Sequence, residues 1–429
     1  MNPKVAIKGL DSWLVALCIV AMLPTIFVLS TWDLDGVLSP ASYAIRHFSL
    51  PIIVGELCVV IFAMRKKFSI YSAFAEMGRV PKTLTILWLI FAFLPVLFVA
   101  EDMSLSAFST LQYALHGVFL ASLIYLAQSS AAAKRETALI NLTLGAFIYV
   151  GFLVAFVLII PDKASFPWTL RLPSGTNVRQ IGYFIAIVAI TPISLLLFSR
   201  RNIAALCFVV IFLVTFIAWT GSRGALVGLF FGPALAAFML RRSPTKTRAG
   251  LLVMSFAFGL AASLPLPNPA PEFGLVRMAS SLSQDELGSG RSFVWKSTIT
   301  EIKKSPWIGH GSGSFKQNMQ SIYDFNFNQP HQFVLQYIYD WGLFGGGAAG
   351  LLLLLLFLSS LGRAREVNDA AAYAAITALC TVAVIGMIDG ALYYPFSIVI
   401  AAAVVAIGNI EESAKNEQGN GEINSRPTV

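Results

Sequence analysis

The chain has 429 residues, 57% of them hydrophobic and 12% charged, with a formal net charge of +8 and a mean hydropathy of +0.74. A soluble domain carries about 25% charged residues, so the composition excludes a water-soluble globular protein and predicts an all-α polytopic integral membrane protein. The basic excess does not point to nucleic acid, because Lys and Arg cluster in short loops between apolar runs, the pattern that orients a membrane protein.

Apolar runs recur near the ~20 residues that cross a bilayer as a helix. They predict about twelve transmembrane helices, near 13–31, 48–64, 83–100, 106–127, 138–160, 181–198, 202–219, 224–240, 249–265, 343–361, 371–388 and 393–409. The first run follows Lys4 and Lys8. "TIFVLSTWDLD" offers no small-residue cleavage site, so this run reads as a retained helix rather than a signal peptide. Cys18, Cys58, Cys207 and Cys380 each lie in an apolar run and read as small buried hydrophobes. With the N-terminus in the cytoplasm, the inside loops ("MRKKF", "GRVPK", "AKRE", "SRRN", "RRSPTKTR", "GRAR") and both termini hold 19 of the 30 Lys and Arg. The outside segments hold 11, six of them in one long loop, and long loops count little in the positive-inside rule. The expected organisation is transmembrane helices 1–9 over residues 1–265, a large periplasmic loop over 266–341, helices 10–12 over 342–410, and a disordered cytoplasmic tail over 411–429.

The long loop opens with "LPNPAPEFG", where proline discourages helix, and continues through the turn-rich "SQDELGSG". "RSFVWKSTITEIKK" reads as an amphipathic helix whose apolar stripe is Trp295, Ile299 and Ile302 at i, i+4, i+7, facing inward or toward lipid. "GHGSGS", 309–314, looks like a phosphate loop but lacks the G-x-x-x-x-G-K-[ST] spacing, with Lys316 out of place. It reads as a turn that sets two loop helices against each other, with His310 part of the turn. "PHQFVLQYIYDW" then reads as a second amphipathic helix leading into the span after Gly342. A smaller outer loop lies near 161–180.

Several outer residues carry chemistry. His331, at the boundary between loop and membrane, is either an interfacial polar tip or a proton acceptor suited to neutral pH. Arg223, in "WTGSRGALVG", sits in a tight outer turn permitted by Gly221 and Gly224. It reads as a snorkelling side chain or as a functional cation at a span mouth. Arg291 begins the first loop helix, where backbone N–H groups favour anions and a guanidinium adds a bidentate fork; a solvated helix start is the plain alternative. Arg171 and Arg179, in the smaller outer loop, are weaker anion contacts. Asp389, in "MIDGALYYP", reads first as a turn aspartate before glycine, with orienting a histidine or binding a sugar hydroxyl as the alternative. The outside histidines show no helical H-x-x-x-H or E-x-x-H spacing, so no metal site is expected.

His331–Gln332, nine residues, then Gly342–Leu343–Phe344–Gly345 fit the H-[NSQ]-x9-G-x2-[GTY] pattern of the O-antigen ligase and Wzy-type polymerase superfamily. "GSRGA" at 221–225 resembles that family's outward arginine turn, and Arg291, Trp295 and "PWIGHG" at 306–311 resemble the segment before its histidine. The resemblance covers roughly 220 to 345, and Gln332 stands where asparagine is more usual. It implies that His331 is the essential residue and that Arg223 and Arg291 hold the pyrophosphate of an undecaprenyl-linked glycan donor. It implies neither metal nor other cofactor, and lipid A–core as the acceptor in a ligase. Twelve spans with a single dominant outer loop resemble a ligase more than a polymerase, whose acceptor is another lipid-linked repeat unit. A lipid-linked glycan flippase would require inverted repeats or broken polar helices in matching halves, and neither is visible.

Overall fold

The computed structural model describes residues 12–32, 45–128, 135–166, 168, 172–173, 178–199, 202–241, 244–269, 273–275, 289–323, 327–367 and 369–410. The expected tail, 411–429, and residues 276–288 in the long loop lie outside them. In chain order the helices are α1 (Ser12–Ser30), α2 (Leu50–Arg65), α3 (Ile70–Glu76), α4 (Arg79–Phe98), α5 (Met103–Gln128), α6 (Arg135–Ile159), α7 (Val178–Phe198), α8 (Ile203–Trp219), α9 (Arg223–Leu240), α10 (Lys246–Ser263), α11 (Ser289–Ile302), α12 (Phe315–Tyr323), α13 (Phe333–Glu366), α14 (Ala370–Ile388) and α15 (Pro395–Gly408). No strand occurs among the described residues. The chain is an all-α polytopic membrane protein, as an apolar solvent demands: a helix satisfies its backbone N–H and C=O groups within itself.

Each expected span falls on a helix. Eight described helices are long and apolar enough to cross a membrane: α1, α4, α5, α6, α7, α9, α13 and α14. Two further apolar helices, α8 and α15, are shorter. The long loop holds α11 and also α12, a nine-residue helix that the apolar pattern did not predict.

α7 is the centre of the bundle, buried along almost all of its apolar length. It packs against α6, α8, α9, α14 and α15, which is why its sequence is apolar on every face. Glycines let the neighbouring backbones approach. A Cβ on Gly232 of α9 would overlap Thr381 of α14, and one on Gly182 of α7 would overlap Ser222. The cysteines are free, but only Cys380 is buried; Cys18 and Cys58 are exposed on the outer faces of α1 and α2. Their apolar runs are helices with an outward side, so apolar context did not imply burial.

The helix ends that the charge count puts on one side meet each other. At the basic end, Arg135 pairs with Asp369 at 2.6 Å and Arg248 donates to the carbonyls of Leu196 and Ser199. Arg363 donates to Ile410 O and Arg365 to Met239 O. Cations there neutralise carbonyls that helix ends leave unpaired. At the other end the long loop folds over the bundle: Trp219 donates to Pro267 O at 3.0 Å, and Gly311 lies against Ser106 and Ala100.

Candidate functional site

α13 is two helices in one. Gly342 interrupts it with φ 66° and ψ −175°, and a Cβ there would sit 2.2 Å from the Trp307 backbone. A side chain would face both a steric clash and a backbone region that only glycine enters readily. The break frees carbonyls, and the 306–311 turn takes them. His310 N–H donates to Tyr339 O at 2.8 Å and Gly311 N–H to Asp340 O at 2.9 Å, while Leu343 N–H donates back to Pro306 O at 2.8 Å. The "GHGSGS" segment thus locks the loop to the first half of α13, and His310 stacks on Tyr339 within it. Gly345, one turn on, admits Phe91 of α4.

At the start of α13, Gln332 caps the helix, accepting from Leu335 N–H at 2.6 Å. A side-chain oxygen here satisfies a donor that the helix cannot. His331 precedes it with φ 57°, a left-handed conformation rare outside glycine and often retained at functional sites. Gln329 holds it there: the His331 N–H donates to Gln329 Oε1 at 2.7 Å. Trp295 of α11 braces the same segment through its indole N–H on Pro330 O at 2.9 Å.

The His331 imidazole meets Asp389 at 2.7 Å, Nδ1 to Oδ1. Asp389 follows the last residue of α14, 58 positions further along the chain. A carboxylate only accepts, so Nδ1 carries the proton and Nε2 presents its lone pair. The Gln329 amide nitrogen also lies 3.1 Å from Nδ1, but with Nδ1 protonated that approach is a contact rather than a hydrogen bond. Nε2 makes no hydrogen bond among the described residues, and the side chain is 18% exposed.

Asp389 is nearly buried and heavily partnered. Its Oδ1 also accepts from Gly390 N–H at 2.9 Å, the turn contact, and Oδ2 meets Arg291 at 3.2 Å. Burial pushes its carboxyl up, but the His331 hydrogen bond and charge, the Arg291 charge and the Tyr183 hydroxyl outweigh burial and hold it down at about 2. Asp389 is therefore both a turn residue and the partner of a histidine.

Arg223 opens α9, and the neighbouring Gly224 lies against Tyr183 and Asp389. Arg291 is half-exposed at the start of α11. Arg179 lies in the first turn of α7, and its side chain is outside the described residues, as is Arg171 altogether. The apolar stripe expected on α11 is split: Trp295 and Ile302 are half-buried, Ile302 against the loop's core cluster. Val294, Ser297, Thr298 and Glu301 are buried, whereas Ile299 is 43% exposed. Polar side chains face the loop's interior because they are satisfied there: Glu301 accepts from Tyr323 and pairs with Lys304. Gln329 and Tyr183 were not singled out by the sequence, since a glutamine before proline and a tyrosine in an apolar span carry no pattern of their own.

Residues 208–349, a third of the chain, match the family model described as O-antigen ligase. No curated protein matches the chain. The matched segment contains Arg223, Arg291, His331, Gln332, Gly342 and Gly345, and it ends before Asp389. Through that segment the chain is similar to the O-antigen ligase family, the one its motifs resemble.

Proposed function

We propose that the protein is an O-antigen ligase-type glycosyltransferase of the bacterial inner membrane. In this reading both termini are cytoplasmic and the site of the long loop is periplasmic. The donor is a polysaccharide on undecaprenyl pyrophosphate and the acceptor a sugar hydroxyl of lipid A–core. The observation that carries the reading is the 2.7 Å His331–Asp389 contact, which leaves Nε2 without a hydrogen bond among the described residues, with Arg291 on the same carboxylate.

The acceptor hydroxyl hydrogen-bonds to Nε2. As its oxygen attacks C1 of the donor sugar, the proton passes to Nε2 and the C1–O bond to pyrophosphate breaks, with the electron pair leaving on the phosphate. The Asp389 carboxylate stabilises the imidazolium that forms. Arg223 and Arg291, with Arg179 and Arg171 as weaker contacts, neutralise the departing charge. A preorganised donor of this kind contributes about 10²–10³ in rate, and a positioned base about 10²–10⁴.

A Wzy-type polymerase would use the same groups with a lipid-linked repeat unit as acceptor. The test is an electrophoretic profile of lipopolysaccharide and lipid-linked glycan from cells lacking the gene, complemented with wild type or His331→Ala. Ligase activity leaves long chains on the carrier and bare lipid A–core in the His331→Ala cells. Lipid A–core carrying single repeat units would make the protein a polymerase, and normal long-chain lipopolysaccharide in those cells would sink the mechanism.

A further inference from the structure

A second histidine–carboxylate pair lies inside the bundle. His116 of α5 meets Glu56 of α2 at 2.6 Å, Nδ1 to Oε1, with side chains 7% and 0% exposed. Ionisable groups at this depth are expensive and mark function by default. A purely structural pair would have its remaining polar atoms satisfied, and this one does not. Among the described residues, Glu56 Oε2 is buried without a partner and His116 Nε2 makes no hydrogen bond.

His116 lines a cavity of about 300 Å³, within the range of small-ligand sites, about 300–1,000 Å³. The wall carries two cations, Arg46 and Lys316, and no aspartate or glutamate among its described residues. Partial burial and the Lys316 charge together hold the His47 imidazole below its ordinary value, so Lys316 faces the same rim. Gln112 lines the cavity as well, and its Nε2 is buried without a partner among the described residues. Phe108 and Tyr393 supply aromatic surface. Amides and aromatics suit a sugar ring. Cations in the wall suit a sugar that brings its own negative charge.

None of His331, Asp389, Arg291 or Arg223 lines this cavity. Tyr394 does, and it stacks on Tyr183 with ring centroids 6.5 Å apart; Tyr183 in turn bonds Asp389. The cavity and the Arg291 side of the site therefore lie on either side of a tyrosine pair. Displacement at C1 needs nucleophile and leaving group on opposite faces, so a pyrophosphate held by Arg291 leaves the cavity side to the acceptor.

Resting on the glycan-transfer reading above, we propose that this cavity binds an anionic sugar of the acceptor glycolipid. His116, oriented by Glu56, and Gln112 hold its ring hydroxyls, and Arg46 and Lys316 hold its phosphate or carboxylate.

The test uses the full-length protein in phosphatidylcholine nanodiscs. The probes are lipid A–core glycolipid and the undecaprenyl-linked repeat unit, each native, phosphatase-treated and carboxyl-reduced. One native glycolipid is expected to bind wild type, and to bind Lys316→Glu and His116→Phe about tenfold more weakly. One of the two treatments is expected to reproduce the Lys316→Glu loss in wild type and to add nothing in that variant, which identifies the anion. Lys316→Gln, with thermal melts of each variant, separates lost charge from lost fold. Equal affinity for native and treated glycolipids, failure of both to bind, or a Lys316→Glu defect confined to undecaprenyl pyrophosphate overturns the proposal. Transfer assays on His331→Ala judge the catalytic reading separately, because His331 does not line the cavity.

Discussion

Asp389 ties three observations to one side chain: the tautomer of His331, the position of Arg291 and the turn after α14. Replacing it with asparagine keeps the shape but removes the charge that selects Nδ1–H. Asp389→Asn is expected to lower kcat by about 10²–10⁴, with donor and acceptor KM nearly unchanged, measured in a reconstituted transfer assay. An unchanged kcat would reduce the residue to its turn role. Its depressed carboxyl also sets a pH window. Because the folded value lies near 2 and the ordinary one at 3.8, its stabilisation is complete above about pH 4 and lost as pH falls toward 2. A displacement of that size contributes on the order of 2 kcal/mol. The Tm difference between wild type and Asp389→Asn should hold from pH 5 to 7 and disappear near pH 2.

Among the helices, α13 couples loop and membrane through its break. Gly342→Ala places a Cβ against the Trp307 backbone at a positive φ. It is expected to cost more than the about 1–3 kcal/mol of backbone strain alone, seen as a lower Tm in detergent and less protein in the membrane. Gln332→Ala removes only the cap and should cost about 1 kcal/mol. Full stability in either variant would show that the loop is anchored elsewhere. The polar face of α11 teaches the complementary point. Periodicity located the helix, yet its burial followed the hydrogen-bond partners of Glu301 and the cluster of Val294, Phe315, Met319 and Tyr339, none of which a hydropathy stripe encodes.

Across the whole molecule, the bundle rests on close backbone approach around α7 and between α9 and α14. Gly232→Val would drive a side chain into Thr381 and is expected to prevent assembly, read as loss of folded protein by fluorescence-detected size exclusion. The proposed sidedness has its own check in a cysteine-free background. Ser321→Cys in α12 should react with an impermeant thiol reagent in intact spheroplasts, and Arg79→Cys at the start of α4 only after lysis. The reverse pattern would invert the topology and place the His331 site in the cytoplasm.

Sequence by itself determined what is written locally along the chain. The apolar runs placed the helices, the Lys and Arg bias predicted their direction, and the spacing from His331 to Gly342 and Gly345 located the family motif. Each of these is a property of neighbouring residues, set by bilayer thickness, helix pitch or a turn that only glycine permits. Tertiary structure decided the partnerships: His331 with Asp389, Tyr183 between site and cavity, and His116 with Glu56, 60 positions away. No periodicity records such pairs, because which helix ends meet depends on how the whole bundle packs.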